Sequence, residues 1–367
     1  MSLKQSLKDG AWNGLAVGER LLSGSGRPLS DARNFLLLQY PAPLGTAIHA
    51  TPLVPALREA VPGCRIVVAA NGLAAEVFRG NPGVDRLIET PSPIKDLLGA
   101  VRGLREQKLF GGEAFVTVTS TGNERTKIAL QAMLSGAAVR VGFTVVPQLY
   151  RVALRFDYSV SQIANNLKII GALGHAVRHF EPQIFFSETD MAEAHRLLIA
   201  GGIEGAAPIA IFVTQTSVTQ RKSWRAERFQ AAARFLHDTG MAAIVFVGTA
   251  AESAAIEELR GGLQFPTLSV AGRTSLPVLA ALMSRARVGL SLDTGPMHIG
   301  RAVGLPMVIV APAWSPTVEW LPLGDERFHI LKNAEMPVAT PDYVIDEVGI
   351  DEVVAGLADL MTRYADR

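Results

Sequence analysis

Apolar residues along this chain come in short runs, and the runs recur. FLLLQY (35–40), RIVVAA (65–70), DRLIE (85–89), AFVTVT (114–119) and VRVGF (139–143) read as strands spaced as in a parallel sheet, with helical patterns between them. This βαβ alternation predicts a doubly wound α/β domain. A second series, PIAIFV (208–213), AAIVFVG (242–248), TLSVAG (267–272), RVGLSL (287–292) and MVIVA (307–311), predicts another. RHFEPQIFFSETD (178–190) separates the two, so the expected domains are 1–180 and 181–345. DEVVAGLADLMTRY (351–364) reads as an amphipathic helix with Val353, Leu357 and Leu360 or Met361 on one face, and 346–367 is set apart as a terminal helix. Two open α/β domains on a short linker are expected to turn the carboxyl edges of both sheets to a cleft, where ligands collect.

Composition narrows the class. A chain of 367 residues has room for two domains that each bury a core. Lys plus Arg number 35 against 34 Asp plus Glu, and the net charge of +1 gives no support for a nucleic-acid partner steered by bulk charge. The single cysteine, Cys64, excludes an intramolecular disulfide, suits a reducing compartment and reads as a small core residue. Mean hydropathy is positive, yet no apolar stretch approaches the roughly 20 residues of a spanning helix. Residues 1–22 lack the compact apolar core of a signal peptide, so a cytoplasmic protein is expected. Leu3, Leu7, Trp12 and Leu15 would share one face of a helix beside Lys4 and Lys8. That helix either docks on the domain or rests on a membrane surface, which would make the protein peripheral at the inner face.

The candidate chemistry lies in three loops of the second series. SLDTGPMHIGRAVGLP (291–306) sits between two strand-like runs, with Pro296 suited to a helix start and Gly304 followed by Pro306 to its stop. A strand, tight turn and helix in that order present unpaired N–H groups and a partial positive charge at the carboxyl end of a parallel sheet, a site for an anion. TQTSVTQRKSWRAERF (214–229) supplies hydroxyls, Thr216 among them, then Arg221 and Lys222 ahead of a helix. TAAESAAIEEL (249–259) places Glu252 near another helix start. Together these loops offer a cation for a diphosphate, a carboxylate for sugar hydroxyls and helix-terminal amides. Taken singly, Lys222 reads equally as a solvated charge, Glu252 as an ordinary helix-start acid and Asp293 as a brace of its own turn, while His298 either donates to a phosphate or packs. Neither a P-loop nor a G-x-G-x-x-G after a strand occurs, and no D-x-D is present to bridge a diphosphate through metal. His175 and His179 stand four apart without an accompanying Glu, so no metal site is expected there.

SLDTGPMHIGRAVGLPMVIVAPAWSPTVEWLPLG (291–324) resembles the signature of glycosyltransferase family 9, the lipopolysaccharide heptosyltransferases, with its Asp-Ser/Thr-Gly-Pro-x-His turn, Gly-x-Pro and Trp-rich loop. VAGRTSLPVLAALMSRARVGLSL (270–292), RKSWRAERF (221–229) and LGTAIHATPLVPALREAVPGCRIVVA (44–69) extend the likeness. The resemblance implies a GT-B fold of two Rossmann-like domains, acceptor site in the first and nucleotide-sugar site in the second, with the terminal helix crossing back onto the first. It implies inverting transfer, without metal or other cofactor, of heptose from ADP-heptose to a lipid-linked core glycan. It also implies a donor site formed by Lys222, Glu252, Asp293, Thr294, Gly295, Pro296, Met297, His298 and Thr216. One departure stands out. Where the family carries Leu-Gly-Asp, the Asp being the proposed base for the acceptor hydroxyl, this chain reads QYPAPLGTAIH (39–49), with Thr46 in the acid's place and Gln39 and Tyr40 where a basic residue is common. A threonine hydroxyl cannot take a proton near neutrality unaided, and His49 is the nearby titratable group. The alternatives are a nucleotide-sugar-binding protein of this fold that has lost transfer, and a nucleotide-sugar epimerase.

Overall fold

The computed structural model describes residues 10, 12–14, 28–40, 43–204, 207–215, 222–333, 335–336, 338–340 and 342–365. The chain divides into two compact units, the first running to Gln183 and the second starting at Ile184. Each is built around one fully parallel six-stranded sheet.

In the first unit β1 (Asn34–Gln39), β2 (Arg65–Ala70), β3 (Arg86–Glu89), β4 (Val116–Thr119), β5 (Val139–Phe143) and β6 (Val152–Leu154) lie in the order β3-β2-β1-β4-β5-β6. β1 is buried along its whole length, and Phe35, Leu36, Leu37 and Leu38 are all inaccessible to solvent, as a central strand covered on both faces requires. Cys64 is buried and free, in keeping with its expected place in the core. In the second unit β7 (Ile209–Val213), β8 (Ala243–Phe246), β9 (Thr267–Ser269), β10 (Val288–Leu292), β11 (Met307–Val310) and β12 (Phe328–Leu331) repeat that order as β12-β11-β10-β7-β8-β9. Five strands were expected per domain. The sixth in each, β6 and β12, is an edge strand of only three or four mostly part-buried residues.

The shared order has one functional consequence. The chain winds away from β1 toward β2 on one side and returns to β4 on the other, so the loops leaving β1 and β4 diverge. The same holds for β7 and β10. At such a reversal the carboxyl edge of a parallel sheet opens a crevice, the usual ligand position in doubly wound folds.

The terminal helix, Ile350–Arg363, packs within the second unit. Its buried face is the expected one, Val353, Leu357 and Leu360, and it joins a core with Val308, Val310, Leu290 and Phe229. Gly356 is the point of closest approach to β11: a Cβ there would lie 3.0 Å from Val308 Cγ2. The apolar stripe of the helix is used up on β10, β11 and the helix Ala226–Asp238. At the amino end, Leu3, Leu7 and Leu15 lie outside the described residues, while Trp12 packs on a cluster of Ala129, Val146, Leu149 and Tyr150.

Candidate functional site

In the second unit the crevice falls between the carboxyl ends of β7 and β10, paired from Val288↔Ala210 to Ser291↔Val213. Lys222, on the loop after β7, reaches across it. Its Nζ stands 2.7 Å from Asp293 Oδ2 and donates a second bond, 3.0 Å, to the Asp293 carbonyl. Both side chains are nearly out of solvent, 13% exposed for Lys222 and 3% for Asp293. Ser315 Oγ, from the loop after β11, donates to the same carboxylate oxygen at 3.0 Å. Lys332, at the end of β12, donates to the Ser315 carbonyl at 2.6 Å and to Thr317 Oγ1 at 2.5 Å. Four neighbouring strand ends therefore feed one hydrogen-bonded chain.

The Lys222 loop is held from outside the sheet. Ser223 bridges Val344, and Ile345 N–H donates to the Ser223 carbonyl at 2.8 Å. Trp224 Nε1 donates to the Val348 carbonyl at 3.0 Å, and Arg225 forks onto both carboxylate oxygens of Asp346.

Beyond Asp293 the chain enters the helix Gly295–Ala302, with Thr294 in an extended N-cap conformation and Pro296 in the first turn. The Thr294 side chain makes no capping bond to its own helix. Pro296 has no N–H to lose, so the start of this helix is compatible with an anion. His298, one turn in, is buried, and its ring lies 5.9 Å from that of Trp320. Burial pushes its pKa down to about 4; Arg301 and Lys222 push the same way, and Asp293 opposes them. Near neutrality His298 is an uncharged hydrogen-bonding group. Trp314 stands over the Lys222 ammonium at 5.5 Å from ring centre to Nζ.

Lys222, Asp293, Thr294, Gly295, Pro296 and His298 are thus brought to one crevice. Thr216 and Arg221 lie outside the described residues. One expectation needs correcting. Met297 is completely buried, and its side chain belongs to the core instead of lining a ligand site. Glu252 accepts the Thr249 N–H at 2.7 Å in a reciprocal capping box. Sequence reading missed Trp314, Ser315, Trp320 and Lys332. The signal available was topological: β11 neighbours β10, so a hydroxyl just past β11 falls beside whatever follows β10.

In the first unit the corresponding crevice lies between β1 and β4. Thr46 sits in the helix Leu44–Ile48, buried. His49 caps that helix and is 0% exposed, which removes it as a base for an incoming hydroxyl: a ring with no surface cannot meet a substrate. The Asn166 amide, from the helix Gln162–Ala172, donates to the His49 carbonyl at 2.9 Å. His179 pairs with Glu181, and among the described residues no group of three His, Cys, Asp or Glu is placed to hold a metal.

These features have relatives. The sequence model of glycosyltransferase family 9 (heptosyltransferase) matches residues 133–339. Lipopolysaccharide heptosyltransferase 3 of Escherichia coli K12 is 24% identical over 164 residues, 43% of this chain and 47% of that protein. The lipopolysaccharide core heptosyltransferase OpsX of Haemophilus influenzae is 28% identical over 100 residues, 27% of this chain and 28% of that protein. The matched stretch thus spans less than half the length of these curated relatives. In fold the likeness is nearly complete. A glycosyltransferase family 9 structure from Veillonella parvula superposes with a TM-score of 0.79 at 19% identity, covering 90% of this chain and 98% of that one. E. coli ADP-heptose lps heptosyltransferase II gives 0.73 at 18% identity, over 89% and 98%. With the family model covering more than half of its length, the chain belongs to glycosyltransferase family 9.

Proposed function

We propose that this protein is an inverting, metal-independent glycosyltransferase that moves heptose from ADP-heptose to a lipid-linked core glycan. The observation that carries the reading is the contact chain Lys222–Asp293–Ser315 across the β7/β10 crevice, beside a helix start with no side-chain cap. Names of the relatives supply the sugar and the acceptor class, since two of them are lipopolysaccharide heptosyltransferases and a structural neighbour is an ADP-heptose enzyme.

In this reading the donor diphosphate lies at the start of the helix Gly295–Ala302. Lys222 has three N–H donors, and Asp293 engages two. The third is left for a phosphate oxygen. Because the ion pair is neutral overall, Lys222 contributes a placed donor more than net charge, and the helix dipole supplies the field in which the leaving diphosphate develops its charge. Neutral His298 adds a hydrogen bond without repelling Lys222. The acceptor hydroxyl attacks the anomeric carbon, the bond to the diphosphate oxygen breaks with its electron pair, and the hydroxyl proton passes to a general base.

The test is calorimetric titration with ADP-, UDP-, GDP- and TDP-sugars, then turnover with lipopolysaccharide from a heptosyltransferase-deficient strain, with EDTA present and absent. The expected result is a preference for ADP-heptose, acceptor-dependent release of ADP and indifference to the chelator. Binding of a different nucleotide-sugar, or donor turnover without acceptor as in an epimerase, would overturn the assignment. Thr46 in the place of the family's aspartate favours a second reading, a nucleotide-sugar-binding protein without transfer; binding with no release of ADP would identify it.

A further inference from the structure

Exposed apolar side chains scattered singly over a surface need no explanation; gathered on one face, they mark a place of contact. Among the described residues of the first unit, six large apolar side chains are exposed. Five of them, Leu73, Ile94, Leu98, Val145 and Tyr158, stand on the segments leaving β2, β3, β5 and β6. The strands are all parallel, so these segments emerge on one edge of the sheet, the edge on which the β1/β4 crevice opens. The sixth, Val177, lies beyond the helix Gln162–Ala172. Neighbouring strands lie roughly 4.8 Å apart, so the row from the β3 segment to the β6 segment spans roughly 24 Å. The backbone beneath it is braced. Asn71 Nδ2, after β2, donates to the Thr90 carbonyl, after β3, at 3.0 Å, and Lys127 Nζ donates to the Ile94 carbonyl at 2.7 Å. Asp96 accepts the Gly99 N–H at 2.8 Å, capping the helix Leu97–Glu106 that bears Leu98. Leu98 itself is 72% exposed. Tyr158 is 80% exposed, although its ring meets that of Phe156 at 4.8 Å, and Phe156 stands 6.5 Å from Phe143 at the end of β5.

From this row of exposed apolar tips we infer that the carboxyl edge of the first sheet is a docking face for an anionic lipid surface. Charge complementarity identifies the occupant. Lys95, Arg125, Lys127 and Arg155 are exposed on segments of the same edge, and none of them makes an ion pair among the described residues. The acids of the edge are committed or sheltered. Asp96 is the helix cap, Asp157 is held by Lys168 at 3.1 Å, Glu89 pairs with Arg79 at 2.7 Å, and Glu76 and Glu124 are half-buried. The surplus charge turned to solvent is therefore positive. A protein partner fits this face poorly, since the centre of a protein interface is depleted of lysine and packs as one apolar patch. Here single apolar tips alternate with Lys and Arg. A headgroup layer takes each tip separately, gives a tyrosine an apolar bed with water at its hydroxyl, and rewards each cation with lipid phosphates. Apolar insertion and a basic surround together supply the two signals that stable attachment needs. No described helix is long and apolar enough to cross a bilayer, so the contact is made at the surface. The inference goes beyond the transfer proposed above and does not depend on it. For a lipid-linked acceptor, docking at this edge brings the β1/β4 crevice to the surface that holds it.

The experiment is flotation of the full chain with vesicles of phosphatidylcholine alone and of equal parts phosphatidylcholine and phosphatidylglycerol, at about 0.1 M and about 0.5 M salt. Wild type is expected to float with the mixed vesicles at the lower salt and to lose most of that binding at the higher salt or on phosphatidylcholine alone. Leu98→Asp combined with Tyr158→Asp, and separately Lys95→Glu combined with Arg155→Glu, should each weaken partitioning at least roughly 10-fold. Val177→Asp and Ile199→Asp, at exposed apolar sites off this edge, should stay within about twofold of wild type. Circular dichroism checks that each variant is folded. A wild type that stays in the soluble fraction overturns the inference. So do edge variants that float as wild type does, which would move the lipid contact elsewhere, to the segment of Lys4 and Lys8 first. A wild-type dimer that the Leu98 and Tyr158 changes dissolve would make a second copy the occupant and overturn it as well. Calorimetry with ADP-heptose tests the transferase reading by itself, and donor binding by a protein that ignores vesicles leaves that reading standing.

Discussion

Lys222 Nζ and Asp293 Oδ2 meet at 2.7 Å across the crevice between β7 and β10, 71 residues apart in the chain and both nearly buried. Parallel pairing of the two strands brings them together. Neither carries a comparable partner of opposite charge elsewhere among the described residues, so each is the other's compensation for lost water.

Breaking the pair from one side leaves a buried charge alone. Lys222→Met and Asp293→Leu are each expected to lower unfolding free energy by about 3 kcal/mol, and the double variant to recover most of that loss. Donor affinity follows a different pattern: it should fall roughly 10- to 100-fold in Lys222→Met and stay low in the double variant. Urea denaturation and calorimetry separate the two effects, and a double variant no more stable than the singles would refute the pairing.

His298 predicts a pH dependence. Burial holds it at about 4 in the folded protein, below the ordinary histidine value of 6.5. Between those values the unfolded chain binds the proton and the folded one does not. Stability from this group is therefore complete above pH 6.5 and is lost as pH falls toward 4, by about 3 kcal/mol. Comparing wild type with His298→Asn at pH 7 and pH 4 should show that much less acid sensitivity in the variant, and equal sensitivity would place the histidine in a more solvated setting.

Gly142, in β5, has a φ of +128°, and a Cβ built there would lie 2.1 Å from the Thr119 carbonyl oxygen. The carbonyl belongs to the last residue of β4, opposite Gly142 in the ladder. Gly142→Ala must either shift β5 or displace the end of β4, at an expected cost of about 3 kcal/mol. A denaturant midpoint within error of wild type would show that the ladder yields there easily.

Central strands such as β1 and β10 were legible because burial on both faces imposes an apolar run that no helix of that length shares. β6 and β12 were not, since β6 is only three residues long and His329 interrupts the short apolar run of β12. The site was legible in parts. Lys222, Asp293 and His298 stood out by residue type and by position after strands, but that the first two pair depends on strand order, which no local window contains. Local reading also misjudged His49 and Met297. Whether a short-helix residue faces core or crevice is decided by packing that no local window contains, and both residues are fully buried.

The Lys222 loop is clasped by Val344, Ile345, Asp346 and Val348 through the Ser223 bridge, the Trp224 indole and the Arg225 fork. Coupling of this kind is reciprocal. A ligand that steadies Lys222 must also slow amide exchange at Ile345, whose N–H is given to the Ser223 carbonyl at 2.8 Å. Cutting the chain ahead of Tyr343 must in turn loosen the grip on that ligand. The segment before the last helix is therefore tied mechanically to Lys222, and under the proposed donor binding its exchange rate would be a readout of occupancy that needs neither an acceptor nor turnover.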